Sequence, residues 1–445
     1  MDRRKEIETA ESSLREDRTI ARTLRCTWQP FFARFGRLTE VQRHAIPLIL
    51  QGDDVLICAP TAAGKTEAVC APLLERNYYS TMPWKVLYIS PTRALINDLY
   101  YRLITPVEHL GLKISRYTGD HHQRLDDAAL ILTTPASFDS LMCRGRRKGG
   151  HILADVCALV LDEIHFLLGS ARGEHVRWLI ERLMLLKRHA KKEKWIKNDS
   201  IQRVALSATV PAPDKVAKDY LDAERGRVVF VPGGRRIDVV CDEEAAPLTE
   251  DCLLSYLKMP GKSEKILVFC NARKRVDTLL DAMKENIEKA GFVALAHHGS
   301  LSKTVREEAE YAMKTEKKVV MFATSTLEIG VDIGDIDLIV LDGPAPDMPS
   351  LLQRIGRGNR RTNTTRVMPC FGSMAECVIQ SAMIEAARGN KLFPDAYGPC
   401  HSVARQQVAS YIFQSPKRSR NCGKIRYLLG KCADPIVADS LIDHM

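Results

Sequence analysis

The sequence predicts an α/β protein: two tandem parallel-sheet domains followed by a helical segment. Three observations carry that expectation. Short apolar runs alternate with amphipathic stretches, the rhythm breaks at a joint and restarts, and after Phe371 only helical patterns remain. In the first half, residues 55–58, 86–89, 129–132, 158–161 and 204–206 read as buried strands, with helices over 65–76 and 93–103 between them. Runs apolar throughout, rather than alternating, belong to strands covered on both faces, the signature of parallel sheets. Residues 231–236 through 243–244, rich in glycine and charge, form the joint. The second half repeats the pattern with strands at 266–269, 293–296, 319–322 and 338–341 and helices over 273–290 and 303–314. Helical patterns then follow at 375–388, 403–413, 424–429 and 435–443.

Composition narrows the function classes. With 45% hydrophobic and 27% charged residues in 445, the chain can bury sizeable cores, which excludes disorder as its dominant state. No apolar run approaches the ~18 residues needed to span a bilayer. The first 18 residues are charged, with no apolar signal-peptide core, so the expected location is cytoplasmic and no membrane partner is expected. A net charge of +10 suits a polyanionic partner and suits a merely basic enzyme equally well. The 13 cysteines include no Cys-x-x-Cys pair, and Cys58, Cys157 and Cys270 read as reduced core residues. Two charge-rich spans, 144–148 and 187–197, read as exposed.

The sharpest chemical signal is Ala59-Pro-Thr61-Ala62-Ala63-Gly64-Lys65-Thr66, after a strand and opening a helix. In that context backbone N–H groups and a helix N-terminus cradle phosphates, Lys65 supplies a point charge and the Thr66 hydroxyl can hold Mg2+. About a hundred residues later a buried strand ends in Asp162-Glu163-Ile164-His165. The first carboxylate is placed for Mg2+, and the second can orient or deprotonate water. In the second half, the stretch from Gln353 through Arg357 to Arg360 and Arg361 reads as helix-like with arginines three apart, suited to a γ-phosphate. The loop from Ala323 through Gly330 to Asp332 follows a strand and suits a sugar–phosphate backbone.

With these motifs in this order, the chain resembles a superfamily 2 helicase with a DEIH-type box, and within that group the Lhr (large helicase-related) family. The nearer resemblance rests on His297-His-Gly-Ser-Leu301, Ser325 to Asp332 and Leu351 to Arg357. It implies two RecA-like domains, at 28–235 (ATP-binding) and 236–395, preceded by a helical extension at 1–27. It implies also that 396–445 is a partial winged-helix domain without its wing, through truncation, a split gene or a partner chain that completes it, and helices lacking the wing would leave an apolar face exposed. Gln42 would read adenine within a Q motif from Phe35. Thr61, Ala62, Ala63, Gly64, Lys65, Thr66, Asp162 and Glu163 would hold Mg2+ and ATP, with Thr66 and Asp162 on the metal. Gly330 and Asp332 would touch nucleotide, while Gln353, Arg357 and Arg360 would act on the γ-phosphate across a cleft, Arg361 being the alternative to Arg360. His165, Ser207 and Thr209 would couple hydrolysis to movement. Pro91, Thr92, Arg93, Thr134, Pro135, Asn271, Arg273 and Thr324 would grip the nucleic-acid backbone.

The implied activity is ATP-dependent 3′-to-5′ movement on single-stranded DNA, linked to DNA repair. Alternatives of the same fold are an RNA helicase or remodeller, and a subunit that unwinds only with a partner. A nucleic-acid clamp with a vestigial ATPase is disfavoured, since Lys65, Glu163 and the arginines are all present. The His297-His298 pair reads as a loop beside the nucleic-acid track rather than a metal site. A metal cluster among the five cysteines from Cys370 to Cys432 is likewise the weaker reading.

Overall fold

The computed structural model describes the chain apart from residues 1, 61–62, 148–149, 209, 211, 223, 232–235, 241–247, 260–263, 329–332, 359–363, 390–399, 416, 434–437 and 439–445, and apart from the side chains of 2–10 and 146–147. It separates into two compact units, Met1–Pro232 with Pro394–Met445, and Gly233–Phe393.

The first unit opens with α1 (Asp2–Thr23), α2 (Trp28–Phe32) and α3 (Glu40–Gln51). There follow β1 (Asp54–Cys58), α4 (Lys65–Tyr78), β2 (Lys85–Ile89), α5 (Arg93–His109), β3 (Lys113–Tyr117), β4 (Ala128–Thr133) and α6 (Pro135–Arg144). A small hairpin, β5 (Arg146–Arg147) with β6 (Gly150–His151), leads to β7 (Val156–Leu161), α7 (Ala171–Lys192), β8 (Gln202–Ser207), α8 (Pro213–Tyr220) and β9 (Gly226–Phe230). Seven strands form one wholly parallel sheet in the order β3-β4-β2-β7-β8-β1-β9. Its two faces carry separate cores. Val55 and Ile57 of β1 point into one, Leu56 and Cys58 into the other, and all four are fully buried. That double burial is why the strand reads as an unbroken apolar run.

The second unit repeats the plan with β10 (Arg236–Val239), α9 (Thr249–Lys258), β11 (Lys265–Cys270), α10 (Arg273–Lys289), β12 (Val293–His297) and α11 (Lys303–Thr315). It continues through β13 (Val319–Ala323), β14 (Leu338–Asp342), α12 (Met348–Gly356), β15 (Thr364–Cys370) and α13 (Met374–Arg388). Its parallel sheet runs β10-β15-β14-β11-β13-β12. Side chains again alternate between two cores, Leu267 and Phe269 on one face against Ile266, Val268 and Cys270 on the other.

The C-terminal helices α14 (His401–Phe413) and α15 (Cys422–Cys432) belong to the first unit. The lone helices were expected to leave an apolar face exposed. Instead Ala404, Val408, Tyr411, Ile425, Leu428 and Leu429 bury theirs around Trp178 of α7. The helix expected over 435–443 lies outside the described residues apart from Ala438.

Two further expectations are corrected. The span 187–197 is not wholly exposed: Lys187 is 3% exposed and donates to the carbonyls of Ala154 and Val156, with burial holding its pKa below the usual lysine value. The helix-like reading of 353–361 ends at Gly356, and Gly358 instead bridges to Ile336. Among the described residues no helix is long and apolar enough to cross a membrane, and no cluster of His, Cys, Asp and Glu is arranged to hold a metal ion unaided.

Candidate functional site

Every candidate residue in the described part of the first unit except Gln42 lies beyond the C-terminal end of a parallel strand or at the very end of one. That edge is where ligands of open α/β sheets bind. The loop after β1 leads into α4 through Gly64, whose φ of 82° lies in the left-handed region. A β-carbon there would also collide with the side-chain amide nitrogen of Gln42. Gly64→Ala should therefore cost about 1–2 kcal/mol of stability and raise the KM for ATP. Denaturant melts and steady-state kinetics on the variant check both.

Lys65 is the first residue of α4, 8% exposed, and its Nζ donates to the carbonyls of Ala59 at 2.6 Å and Pro60 at 3.1 Å. Its ammonium is thus held across the mouth of the loop. Half-buried Thr66 lines the same pocket as Gly64, Lys65, Asp162 and Glu163. Thr61 and Ala62 lie outside the described residues. Ala63 is described, and its carbonyl accepts a hydrogen bond from the Thr39 hydroxyl at 2.8 Å.

Gln42 sits in the first turn of α3 as half of a capping box: its Oε1 accepts from the backbone N–H of Thr39, and Thr39 Oγ1 accepts from the N–H of Gln42. Its Nε2 donates to the carbonyl of Gly64 at 3.2 Å. Thr39 was not singled out from sequence, although Thr39-Glu-Val-Gln42 ahead of an apolar run is the capping-box signature. Phe35, at the start of this segment, is exposed, with the Arg34 guanidinium 4.5 Å above its ring.

Asp162 and Glu163 follow β7. The N–H of Asp162 continues the sheet by donating to Ile89, and the N–H of Glu163 donates to Asp162 Oδ1. Glu163 has φ 47°, left-handed and unusual for a residue with a side chain. Burial, then the neighbouring Glu163 charge, push the Asp162 carboxyl well above the usual carboxylate range, against the pull of Lys65. Glu163 Oε2 is buried, makes no hydrogen bond, and lies 3.4 Å from Nε2 of His165. Burial depresses the His165 pKa, so the ring is neutral near pH 7. Its Nδ1 receives the Ala208 N–H at 3.3 Å and lies 3.1 Å from the Ser207 hydroxyl, which places the ring proton on Nε2, toward Glu163. The acid after β7 and the Ser207 segment after β8 thus meet through one imidazole. Thr209 lies outside the described residues.

The remaining first-unit candidates stand on the same edge. Pro91 and Thr92 follow β2, and the Thr92 hydroxyl caps α5 by accepting from Leu95 N–H. Arg93 is exposed and paired with Asp120 at 2.8 Å. Thr134 caps α6 at Ser137, with Pro135 as the first helical residue.

The second unit gathers its candidates likewise beyond β11, β13 and β14. Asn271 donates to the Pro344 carbonyl and accepts from Arg354 at 3.0 Å. Exposed Arg273 reaches Ser300 at 2.7 Å, and Thr324 is buried just past β13. Gln353 lies buried in α12. Arg357 is 8% exposed, its guanidinium donating to the Glu328 carbonyl at 3.0 Å and 3.3 Å. The neighbour sequence reading passed over, Arg354, is 1% exposed and paired with Glu328 at 2.7 Å. Gly330, Asp332, Arg360 and Arg361 lie outside the described residues. His297 and His298 meet different carboxylates, Glu310 and Asp277, each at 3.0 Å, and so do not converge on a common point.

Comparison with known proteins matches residues 39–216 to the DEAD/DEAH box helicase model and 249–362 to the helicase conserved C-terminal domain. The ATP-dependent helicase Lhr-Core of Sulfolobus acidocaldarius is 33% identical over 363 residues, covering 74% of this chain and 40% of that protein. The Lhr helicase/uracil glycosylase of Escherichia coli is 26% identical over 464 residues, 85% of this chain and 29% of the relative. The chain therefore spans less than half the length of these curated relatives. Among solved structures, Mycobacterium smegmatis helicase Lhr bound to single-stranded DNA and AMP-PNP superposes with a TM-score of 0.74 at 23% identity, over 92% of this chain and 55% of that one. A DEAD-box helicase bound to single-stranded RNA superposes at 0.66 with 17% identity, over 92% and 88%. At such identities the structural likeness speaks for the fold.

Proposed function

We propose that this chain, which belongs to the DEAD/DEAH box helicases of superfamily 2 and is similar to the Lhr-Core proteins, hydrolyses ATP to move along nucleic acid. The observation that carries this reading is the convergence of Lys65, Thr66, Asp162, Glu163 and the neutral His165 on one edge of the first sheet. In it, Lys65 and the α4 N-terminus hold the phosphates and Gln42 reads the adenine. Glu163 orients the attacking water and takes up its proton, with the neutral His165 ring 3.4 Å from its carboxylate. Coupling runs from Glu163 through His165 to Ser207.

The donor set fits Mg2+. The Thr66 hydroxyl and the Asp162 carboxylate are hard oxygen ligands at one pocket, beside the buried and unsatisfied Glu163 Oε2. Bound there, the ion would neutralise charge between the β- and γ-phosphates. Arg357 and Arg360 of the second unit are the proposed charge-stabilising arginines, and Gln353 of α12 is a proposed phosphate contact.

For the polymer we favour single-stranded DNA, because the similar M. smegmatis Lhr was captured on it. The 3′-to-5′ direction follows from the Lhr resemblance. The link to DNA repair rests on relatives whose names join helicase and uracil glycosylase. A second reading, an RNA remodeller, is favoured by the RNA-bound DEAD-box structure of the same fold.

Fluorescence anisotropy with labelled single-stranded DNA and RNA of scrambled sequence, across a salt series, tests the polymer assignment. DNA is expected to bind tighter than RNA, with little sequence preference and affinity falling steeply with salt. Arg93→Gln should lower the slope of log affinity against log salt by about 0.7, the share of one phosphate contact on a single strand. Tighter RNA binding would move the assignment to the remodeller.

A further inference from the structure

We propose that Asp17 of α1 is a positioning residue for the nucleotide site, acting through two sets of hydrogen bonds, joined by the backbone between Leu38 and Thr39, that end on the phosphate loop. This rests on the ATP-binding reading above. Asp17 is 5% exposed although it lies in a helix rich in solvated charge. Its Oδ1 accepts from Arg43 Nε at 2.7 Å, and its Oδ2 from the backbone N–H of Leu38 at 3.3 Å. Arg43 in turn donates from Nη2 to the carbonyl of Leu38 at 2.7 Å. Both polar backbone groups of Leu38 are thereby fixed, one by the carboxylate and one by the guanidinium that the carboxylate holds.

Leu38 immediately precedes the capping box. Thr39 donates its N–H to Gln42 Oε1 at 2.9 Å and its hydroxyl to Ala63 at 2.8 Å, and Gln42 donates to Gly64 at 3.2 Å. The relay is therefore Asp17 to Leu38 and Arg43, then Thr39 and Gln42, then Ala63 and Gly64. It links a helix outside the sheet to the two residues just ahead of Lys65. Apolar packing alone would dock α1: Ile20 and Leu24 are buried in the same core as Val41 and Ile46. A buried carboxylate is not needed for that docking and is costly there without partners. Its partners, Leu38 and Arg43, flank the segment that carries the adenine reader.

Asp17→Asn keeps an acceptor of the same shape but removes the charge that holds Arg43. Hydrogen bonds to charged groups carry enough free energy for about a tenfold effect on the geometry they maintain. We therefore expect KM for ATP to rise about tenfold while kcat at saturating ATP changes far less. The preference for ATP over UTP should narrow by a similar factor, because the adenine-reading end is the part released. Asp17→Ala combined with Gln42→Ala should be no worse than Gln42→Ala alone, since both break one relay. Should Asp17→Ala fail to fold, the Asn variant and a fluorescent ATP-analogue titration give the same readout.

Unchanged KM and unchanged ATP-over-UTP preference in a folded Asp17→Asn would overturn the proposal. So would equal losses in KM, kcat and melting temperature, the mark of a merely structural residue. No binding of ATP by the unaltered chain would instead overturn the reading on which the proposal rests.

Discussion

Glu163→Gln lowers the rate of ATP hydrolysis by about 10²- to 10⁴-fold and leaves ATP affinity nearly intact. The reason is geometric. The amide is the same size, keeps the left-handed turn after β7, and can still face His165, but it cannot accept a proton from water. Glu163 Oε2 has no hydrogen-bond partner, so no buried bond of that atom is broken by the change. Single-turnover hydrolysis, alongside binding of a fluorescent ATP analogue, separates the two effects. Loss of binding in step with turnover would mean that Glu163 holds the nucleotide rather than activating water. Lys65→Ala should show the opposite division, with affinity collapsing first, because its charge serves the phosphates.

The largest stability effect belongs to Arg182→Met. Arg182 is fully buried in α7 and donates to Asp139 of α6 at 2.6 Å, to Gln407 at 2.7 Å and to Gln414 at 3.3 Å. Asp139 also accepts from Gln407, Gln406 and His175 at 2.9, 3.1 and 3.2 Å. One ion pair therefore ties α6 and α7 to α14. Removing the arginine strands a buried carboxylate and should cost about 3–5 kcal/mol, lowering the melting temperature of this unit by on the order of 10 °C. Replacing Asp139 with Leu at the same time should recover much of the loss, as apolar substitutes for buried ion pairs do.

The same node sets a pH dependence. Burial alone would raise the Asp139 pKa, but the bond from His175, the Arg182 charge and the bond from Gln406 outweigh it and hold the carboxyl well below its ordinary 3.8. A depressed carboxylate contributes stability that is complete above the unfolded value and fades as pH falls toward the folded one. The stability gap between the unaltered chain and Asp139→Asn should thus be full above about pH 5 and narrow below about pH 4. A gap that widens on acidification would contradict this.

What was legible in the sequence, and what was not, follows burial. Central strands such as β1 and β7 announce themselves because both faces are covered, so Val55–Cys58 and Val156–Leu161 are unbroken apolar runs. The missed strands β3, β9 and β10 lie at or beside sheet edges, and their burial alternates or fades, as in Lys113–Tyr117 with its exposed lysine. β15 is interior but reads Thr-Thr-Arg-Val-Met-Pro-Cys, a composition that hides a strand. Motif residues were found because phosphate chemistry demands fixed local spacing. Asp17, Asp139 and Arg182 were not, since the bonds to Leu38, Arg43, His175, Gln406, Gln407 and Gln414 and between Asp139 and Arg182 span 21 to 268 residues. Arg354 was overshadowed by Arg357, although helical spacing from α12 sends both inward in the structure.

The most direct test is steady-state ATP hydrolysis by the unaltered chain at matched low salt, with no polymer, with single-stranded DNA and with single-stranded RNA. Slow turnover alone, strong stimulation by DNA and abolition by Glu163→Gln are the predicted results. Hydrolysis that neither polymer alters, or that survives Glu163→Gln, would contradict an ATP-driven motor built on this edge of the first sheet.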